Sequence, residues 1–350
     1  MSNKTYRIAI VGASSLLGKE LSDALSDSAL GASSFTLLDE EQAAGSVAAA
    51  GDEISFIQTI DAASFAGKDL VFFAGDAAVA AKHWRNALKA EASIVDLTGA
   101  LEHQPGVLVR GPWSAVGSAA GSGAGSAPNL ATPAVVTAHP VALLLALIAA
   151  RLGAKYPVRS LLATVLLPAS EFGRAAMDEL HQQTVSLLSF QSLPREQYDA
   201  QVAFNLVRAW GEAAKIPVGM DEIENRIQAH FAAIAPAGAP EVALQAVHAP
   251  VFHGYGASVW VELATEATEA EVASAMVGKH LEIRTGTEAP NNVDVAGQDD
   301  LMVSVQALTR DAAGKRFKLW LAADNLRLAA ANAVACAVEL LQLRPLGEVQ

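Results

Sequence analysis

The chain has 350 residues, is 52% hydrophobic and carries a formal net charge of −13. Its length predicts two domains rather than one core. The acidic balance argues against nucleic acid and anionic membrane as partners, since both require a basic face, and a single cysteine, Cys336, excludes a disulfide framework or a thiolate-rich metal site.

Along the chain, Tyr6 to Val11 predicts a buried strand. A turn, Gly12-Ala-Ser-Ser-Leu-Leu-Gly18, and a helix from Leu16 to Leu25 follow. Further strands are predicted at Phe35–Leu38, Ile54–Ile57, Leu70–Phe73 and Ser93–Leu97, with an Ala-rich helix over Ala77–Ala90. Strands alternating with helices imply a parallel sheet with right-handed crossovers. Residues 114–127 are rich in Gly, Ser and Ala, the composition of a flexible connection. Then come a helix opening at Pro140, a strand at Ser160–Leu167, a helix over Phe172–Leu188 and another after Asp221. Strands are predicted at Leu244–Phe252, Ser258–Leu263, Leu301–Leu308 and Phe317–Ala322, forming a mixed sheet. Asp324 caps a last helix running to about Leu343. The N-terminus carries no apolar signal segment, and the run Val141 to Ala150 is too short to span a bilayer. A soluble cytoplasmic protein is expected.

The strand, turn and helix at 6–25 fit a dinucleotide fingerprint, in which backbone N–H groups and the helix dipole hold a pyrophosphate. Gly12, Ser14, Ser15, Leu16 and Gly18 form the candidate turn, and Asp39 stands where an acid grips a ribose 2′-hydroxyl. The alternative is an ordinary strand-to-helix turn with a solvated Asp39. If the site is real, Asp39 favours NAD, because its charge repels the 2′-phosphate of NADP.

The turn, the segment VFFAG (Val71 to Gly75), the stretch after Asn129, the helix EFGRAAMDELHQQT and the ending ADNLRLAAANAVACAVELL resemble the aspartate-semialdehyde dehydrogenase family, closest to its divergent Usg-type homologues. The likeness covers nearly the whole chain. It implies an α/β protein: a Rossmann-type parallel sheet domain (1–129 and 325–350) and a mixed α/β dimerisation domain (130–324), with the last helix returning to the first domain. It also implies a homodimer and adds Gly75 and Asn325 to the cofactor-binding set. No metal is implied, and the small-molecule ligand is left unidentified.

That family reduces an acyl phosphate through a thioester, and its functional positions match this chain poorly. Ala142 stands where the resemblance puts the nucleophilic cysteine. Leu167 replaces a glutamine, Tyr255 the acid/base histidine, and His248 the arginine that pairs a substrate carboxylate. Glu102 matches the phosphate-binding arginine, and Glu171 replaces a small residue. A helix N-terminus stabilises a thiolate, but a methyl group cannot form a thioester. Cys336 reads as a small buried hydrophobe. His139, His248 and His253 are expected near the former active site, with His248 and His253 on opposite faces of one strand. Ser170 has no evident base, and His181 is expected to face solvent. Two functions lead: a catalytically silent, dimeric NAD(P)-binding or assembly protein, or an oxidoreductase acting on an aldehyde or oxo group by altered chemistry, with a Tyr255 of lowered pKa as proton donor; ordinary aspartate-semialdehyde dehydrogenase activity, which the resemblance alone implies, ranks below both on residue grounds.

Overall fold

A computed structural model describes residues 5–43, 45–50, 53–115, 127–286, 288–308 and 314–343. The expected connection at 114–127 falls mostly on residues 116–126, outside that set. The chain divides into two compact units. Among the described residues, the first holds 5–113, 127–138 and 329–343, and the second holds 114–115 and 139–328.

The first unit contains β1 (Arg7–Val11), α1 (Leu16–Ser26), β2 (Ser34–Asp39), β3 (Val47–Ala50), β4 (Glu53–Phe56), β5 (Gln58–Thr59), β6 (Leu70–Phe73), α2 (Ala77–Lys89), β7 (Ser93–Asp96), β8 (Leu108–Arg110) and β9 (Val135–Thr137). Seven strands form a wholly parallel sheet in the order β5-β2-β1-β6-β7-β9-β8. The apolar runs of β1 and β6 are buried on both faces, as a parallel sheet covered on two sides requires. The segment expected as one strand at Ile54–Ile57 is instead the second arm of a β3–β4 hairpin. Residues 130–138, expected in the second domain, belong to the first unit because β9 pairs with both β7 and β8.

The second unit contains α3 (Pro140–Gly153), β10 (Val158–Leu167), α4 (Arg174–Leu188), α5 (Met220–Ile234), β11 (Val242–His248), β12 (Tyr255–Ala267), α6 (Glu269–Met276), β13 (Leu281–Ile283), β14 (Leu301–Ala307) and β15 (Gly314–Ala323). Six strands form the expected mixed sheet, in the order β11-β10-β12-β15-β14-β13. Helix α3 is apolar all round, and every residue from Val141 to Ala150 is buried, as such a composition requires.

The last helix, α7 (Asn325–Leu343), is divided: its first turn groups with the second unit and the rest with the first. Asp324 caps it, its Oδ1 accepting from the N–H groups of Leu326 (3.0 Å) and Arg327 (3.1 Å). By length and apolarity α7 could cross a membrane. Its Ala330, Ala333, Cys336 and Ala337 are instead buried in the core of the first unit beside Ile8, Ile10 and Phe72. Cys336 is fully buried there, and burial pushes its thiol well above the ordinary cysteine range. A two-pronged ion pair fixes the helix: Arg110 Nε and Nη2 donate to Glu339 Oε2 and Oε1 at 3.0 and 2.5 Å. The Arg110 carbonyl also accepts from Asn332 Nδ2 at 3.3 Å.

Arg110 is buried, whereas Glu339 is one-quarter exposed on its side chain. Glu339→Ala is expected to lower stability by about 2–4 kcal/mol, since it removes a carboxylate partner from a buried guanidinium. Arg110→Met combined with Glu339→Ala is expected to recover much of that loss. Urea denaturation of the two variants measures the difference.

Candidate functional site

In the first unit the chain turns from β1 into α1 at Gly12, whose φ is +82°. A Cβ on Gly12 would lie 2.3 Å from the Gly75 Cα, and one on Gly18 would lie 2.1 Å from the Gly12 carbonyl oxygen. These three glycines are therefore dictated by backbone contact. The turn sits at the C-terminal ends of adjacent β1 and β6, where the sheet order changes direction. Nucleotides bind open parallel sheets at such a switch point. Ser15 caps α1: its Oγ accepts from Gly18 N–H and donates to the Ala74 carbonyl, both at 2.8 Å. Asp39, at the end of β2, accepts the Ser14 N–H at 2.9 Å and is partly exposed. Ser14 is exposed, and Leu16 opens α1 with an N–H that has no acceptor earlier in the helix. The arrangement fits a pyrophosphate over the helix start and a ribose beside Asp39. The Ser15 cap uses one N–H of that helix start.

In the second unit three side chains converge at the start of α3. His139 is the N-cap, and its Nδ1 accepts the Val141 N–H at 3.2 Å. That bond leaves the ring proton on Nε2, which lies 3.0 Å from Glu171 Oε1. The other oxygen, Oε2, accepts the Tyr255 hydroxyl at 2.6 Å. Burial raises the Glu171 pKa, but the bonds from His139 and Tyr255 and nearby positive charge, Arg226 included, outweigh it, and the carboxyl is held below its ordinary range. Tyr255 is fully buried. Burial and the adjacent Glu171 charge hold its phenol well above the ordinary tyrosine range. Beside this group, Asn325 Oδ1 accepts from Gly254 N–H (2.9 Å) and contacts Ser170 Oγ (3.2 Å).

The family described as semialdehyde dehydrogenase, NAD binding domain, matches residues 7–144, and the semialdehyde dehydrogenase dimerisation domain matches residues 150–328. The chain belongs to the semialdehyde dehydrogenase family. The "USG-1 protein homolog" of Pseudomonas aeruginosa is 30% identical over 95% of this chain and 96% of that protein. The aspartate-semialdehyde dehydrogenase of Rickettsia bellii is 26% identical over 97% of this chain and 98% of its own. Among solved structures, a "probable aspartate-semialdehyde dehydrogenase" from Pseudomonas aeruginosa superposes with a TM-score of 0.81 at 30% identity, covering 97% of this chain and 99% of that one. Aspartate semialdehyde dehydrogenase II of Vibrio cholerae, complexed with ASA, gives 0.83 at 20% identity, with the same coverage, and shares the fold.

Within this semialdehyde dehydrogenase scaffold, the residues expected at the site separate by unit. Gly12, Ser14, Ser15, Leu16, Gly18, Asp39 and Gly75 gather around one turn of the first unit. Glu102 lies partly buried in the turn after β7 of that unit. Ala142, Leu167, His248, Tyr255 and Asn325 lie in the second unit. Ala142 and Leu167 are fully buried. Asn325 is also buried, and its carboxamide is engaged by Ser170 and Gly254. Ser170 thus faces an amide rather than a base. His181 is exposed, as expected from the HQQT stretch. Gln183 in the same stretch is fully buried and holds the 194–203 loop through Pro194 and Ala200 carbonyls and the Val202 N–H.

Two expectations are corrected. The strand expected over Leu244–Phe252 ends at His248, so His253 sits on an exposed bend and the opposite-face argument does not apply. The Ala249 N–H to Leu167 carbonyl bond is the last of the β10–β11 ladder, and Pro168, which has no N–H, follows β10. The lowered pKa considered for Tyr255 is also reversed, since the phenol is buried against an anion. The role of Glu171 was not legible in sequence: its partners are 32 and 84 residues away. Only His139, just before the Pro140 helix start, carried a local signal.

His248 is fully buried between Phe172, Tyr198 and Trp210, with ring centroids 5.1–5.6 Å away. Neither ring nitrogen meets hydrogen-bond geometry with a described residue, the Leu167 backbone being a weak partner at most. Burial pushes its pKa down to about 4, so the ring is neutral at pH 7 and offers no charge to a carboxylate. The unfolded chain takes up this proton near pH 6.5, whereas the folded chain resists until about 4. Stability is therefore full above the unfolded value and falls as the pH drops from about 6.5 to 4, by about 3 kcal/mol for this group. His248→Phe is expected to flatten the curve over that window. His280, also held near 4, continues to contribute a slope. Urea titrations at stepped pH values measure the change.

Proposed function

We propose that this chain binds a nicotinamide dinucleotide, with NAD preferred, and lacks the thioester chemistry of the aspartate-semialdehyde dehydrogenases, acting as a homodimeric binding or assembly protein in the cytoplasm. The observation that carries this reading is the start of α3. Ala142, at the position that the resemblance gives to the nucleophile, presents a buried methyl group. Pro140 has no N–H, and the Val141 N–H is taken by His139, so two of the first three helical positions offer nothing to an incoming oxyanion. A carboxylate, Glu171, occupies the neighbourhood, and the neutral His248 supplies no cation. Arg226 is a cation whose charge acts on Glu171, and Ala142, Leu167, His248 and Tyr255 add none for an anionic acyl phosphate. The helix start on which a thiolate would depend is closed by the protein itself.

A hydride-transfer reaction with Tyr255 as proton donor is not favoured. Its proton is already donated to Glu171, and its ionisation is suppressed. Asp39 supports the preference for NAD, because it holds the Ser14 N–H at the turn and would repel a 2′-phosphate. Support for a homodimer comes from the matched dimerisation domain and from the second sheet. Leu161, Ala163, Val165 and Leu167 of β10 face the core, while Leu162 and Trp260, paired in register on β10 and β12, are each 48% exposed on the other face. A large aromatic exposed beside a leucine on a sheet face suits a protein contact.

Titration is expected to show tighter binding of NAD than of NADP, and Asp39→Ser is expected to narrow the gap. Neither wild type nor Ala142→Cys is expected to turn over aspartate semialdehyde with phosphate and either nucleotide. Turnover by Ala142→Cys at an ordinary enzymatic rate, on the order of 1 per second or more, would refute the lost-chemistry reading. Trp260→Asp is expected to shift the protein from dimer to monomer in sedimentation velocity.

A further inference from the structure

The Glu171 carboxylate has a feature that its sequence position does not suggest. Both of its oxygens receive a donor from a distant side chain, and both donors are fixed before the carboxylate is considered. The Val141 N–H occupies His139 Nδ1, so the Nε2 proton is aimed at Glu171 Oε1. His139 is further held through its backbone N–H, which donates to His230 Nδ1 at 2.8 Å. Tyr255 leaves Gly254, whose N–H is bound by Asn325 (2.9 Å) and whose carbonyl accepts Asn292 Nδ2 (2.5 Å). The His139 and Tyr255 rings lie 6.3 Å apart, centroid to centroid. Two buried donors on separately anchored backbone thus converge on one anion.

We propose that His139 and Tyr255 form a binding site for a small carboxylate, and that Glu171 is a tethered ligand filling it. The arrangement is a two-donor oxyanion cradle. Specificity comes from geometry: a planar carboxylate spans the two donors with its two oxygens, one per donor. Glu171 therefore sets what the pocket accepts. While it is in place, exogenous carboxylates are excluded by occupancy and by charge. Removing its side chain leaves two buried donors unsatisfied, which is costly, and a free carboxylate of acetate size can satisfy both. The inference concerns binding alone and stands apart from whether the family's reaction has been lost.

The test uses the full-length protein and sodium acetate, with sodium chloride at equal ionic strength as the control. Glu171→Ala is expected to be less stable than wild type and to gain melting temperature with acetate in a saturable way, whereas wild type shows no acetate-specific gain. Glu171→Gln keeps the cavity filled and is expected to show none either. In Glu171→Ala, Tyr255→Phe removes one donor and is expected to weaken acetate binding at least tenfold. With tyrosine labelled at the Cζ carbon, the Tyr255 resonance of Glu171→Ala is expected to return toward its wild-type position as acetate saturates; a general stabiliser would not move it. The proposal is overturned if acetate and chloride act alike on Glu171→Ala, if the Tyr255 resonance does not respond, or if Glu171→Gln gains as much as Glu171→Ala. It is equally overturned if Glu171→Ala fails to fold and refolding in acetate does not recover it.

Discussion

One carboxylate accepts hydrogen bonds from two side chains that stand 116 residues apart, His139 and Tyr255, and each donor is anchored by bonds of its own. A buried anion is tolerated only when its lone pairs are satisfied. Glu171 meets that condition through hydrogen bonds from His139 and Tyr255, one to each oxygen. The consequences reach in both directions. His139 is held in one tautomer and doubles as the cap of α3, so the apolar helix behind it starts where the proline places it. Tyr255 is held in its neutral form, which removes it from acid–base chemistry at ordinary pH. The same bonds that make the carboxylate stable make the pocket unreceptive to a second anion.

The first unit rests on a different kind of constraint, contact between bare backbones. Gly12 and Gly75 approach so closely that either Cβ would collide with the other residue's Cα. Ser15 bonds to Gly18 N–H and the Ala74 carbonyl, tying this turn to the end of β6. A nucleotide-binding scaffold and a self-capped helix start coexist in one loop.

Much of this was legible in the sequence. The boundaries of β1, β6, α1, α3 and α7 followed from apolar runs, a proline at a helix start and an aspartate cap, all of which are local signals. The short strands β8 and β9 were not legible, because three-residue strands carry no period and are defined by the neighbours they pair with. The hairpin β3–β4 was missed for a related reason: Val47–Ala50 is alanine-rich, and alanine is a weak strand former. At the site, the resemblance pointed to Ala142, Leu167, His248 and Tyr255 one position at a time. It gave no hint that Tyr255 and Glu171 would bond to each other, or that His248 would be boxed by three aromatic rings. Those relations depend on side-chain directions after folding, and no spacing encodes them.

The division of α7 between the two units bears on how the protein is made. The core of the first unit includes Ala330 to Leu341, and its ion pair joins residues separated by 229 positions. On the ribosome, the sheet of the first unit therefore emerges before α7 and cannot close its hydrophobic side until α7 has been synthesised. Over that interval Ile8, Ile10 and Phe72 lack their last cover, while the whole six-stranded sheet of the second unit is completed. The order of translation thus places closure of the first unit's core after the strands of the second sheet have been made, leaving its apolar side exposed for that interval.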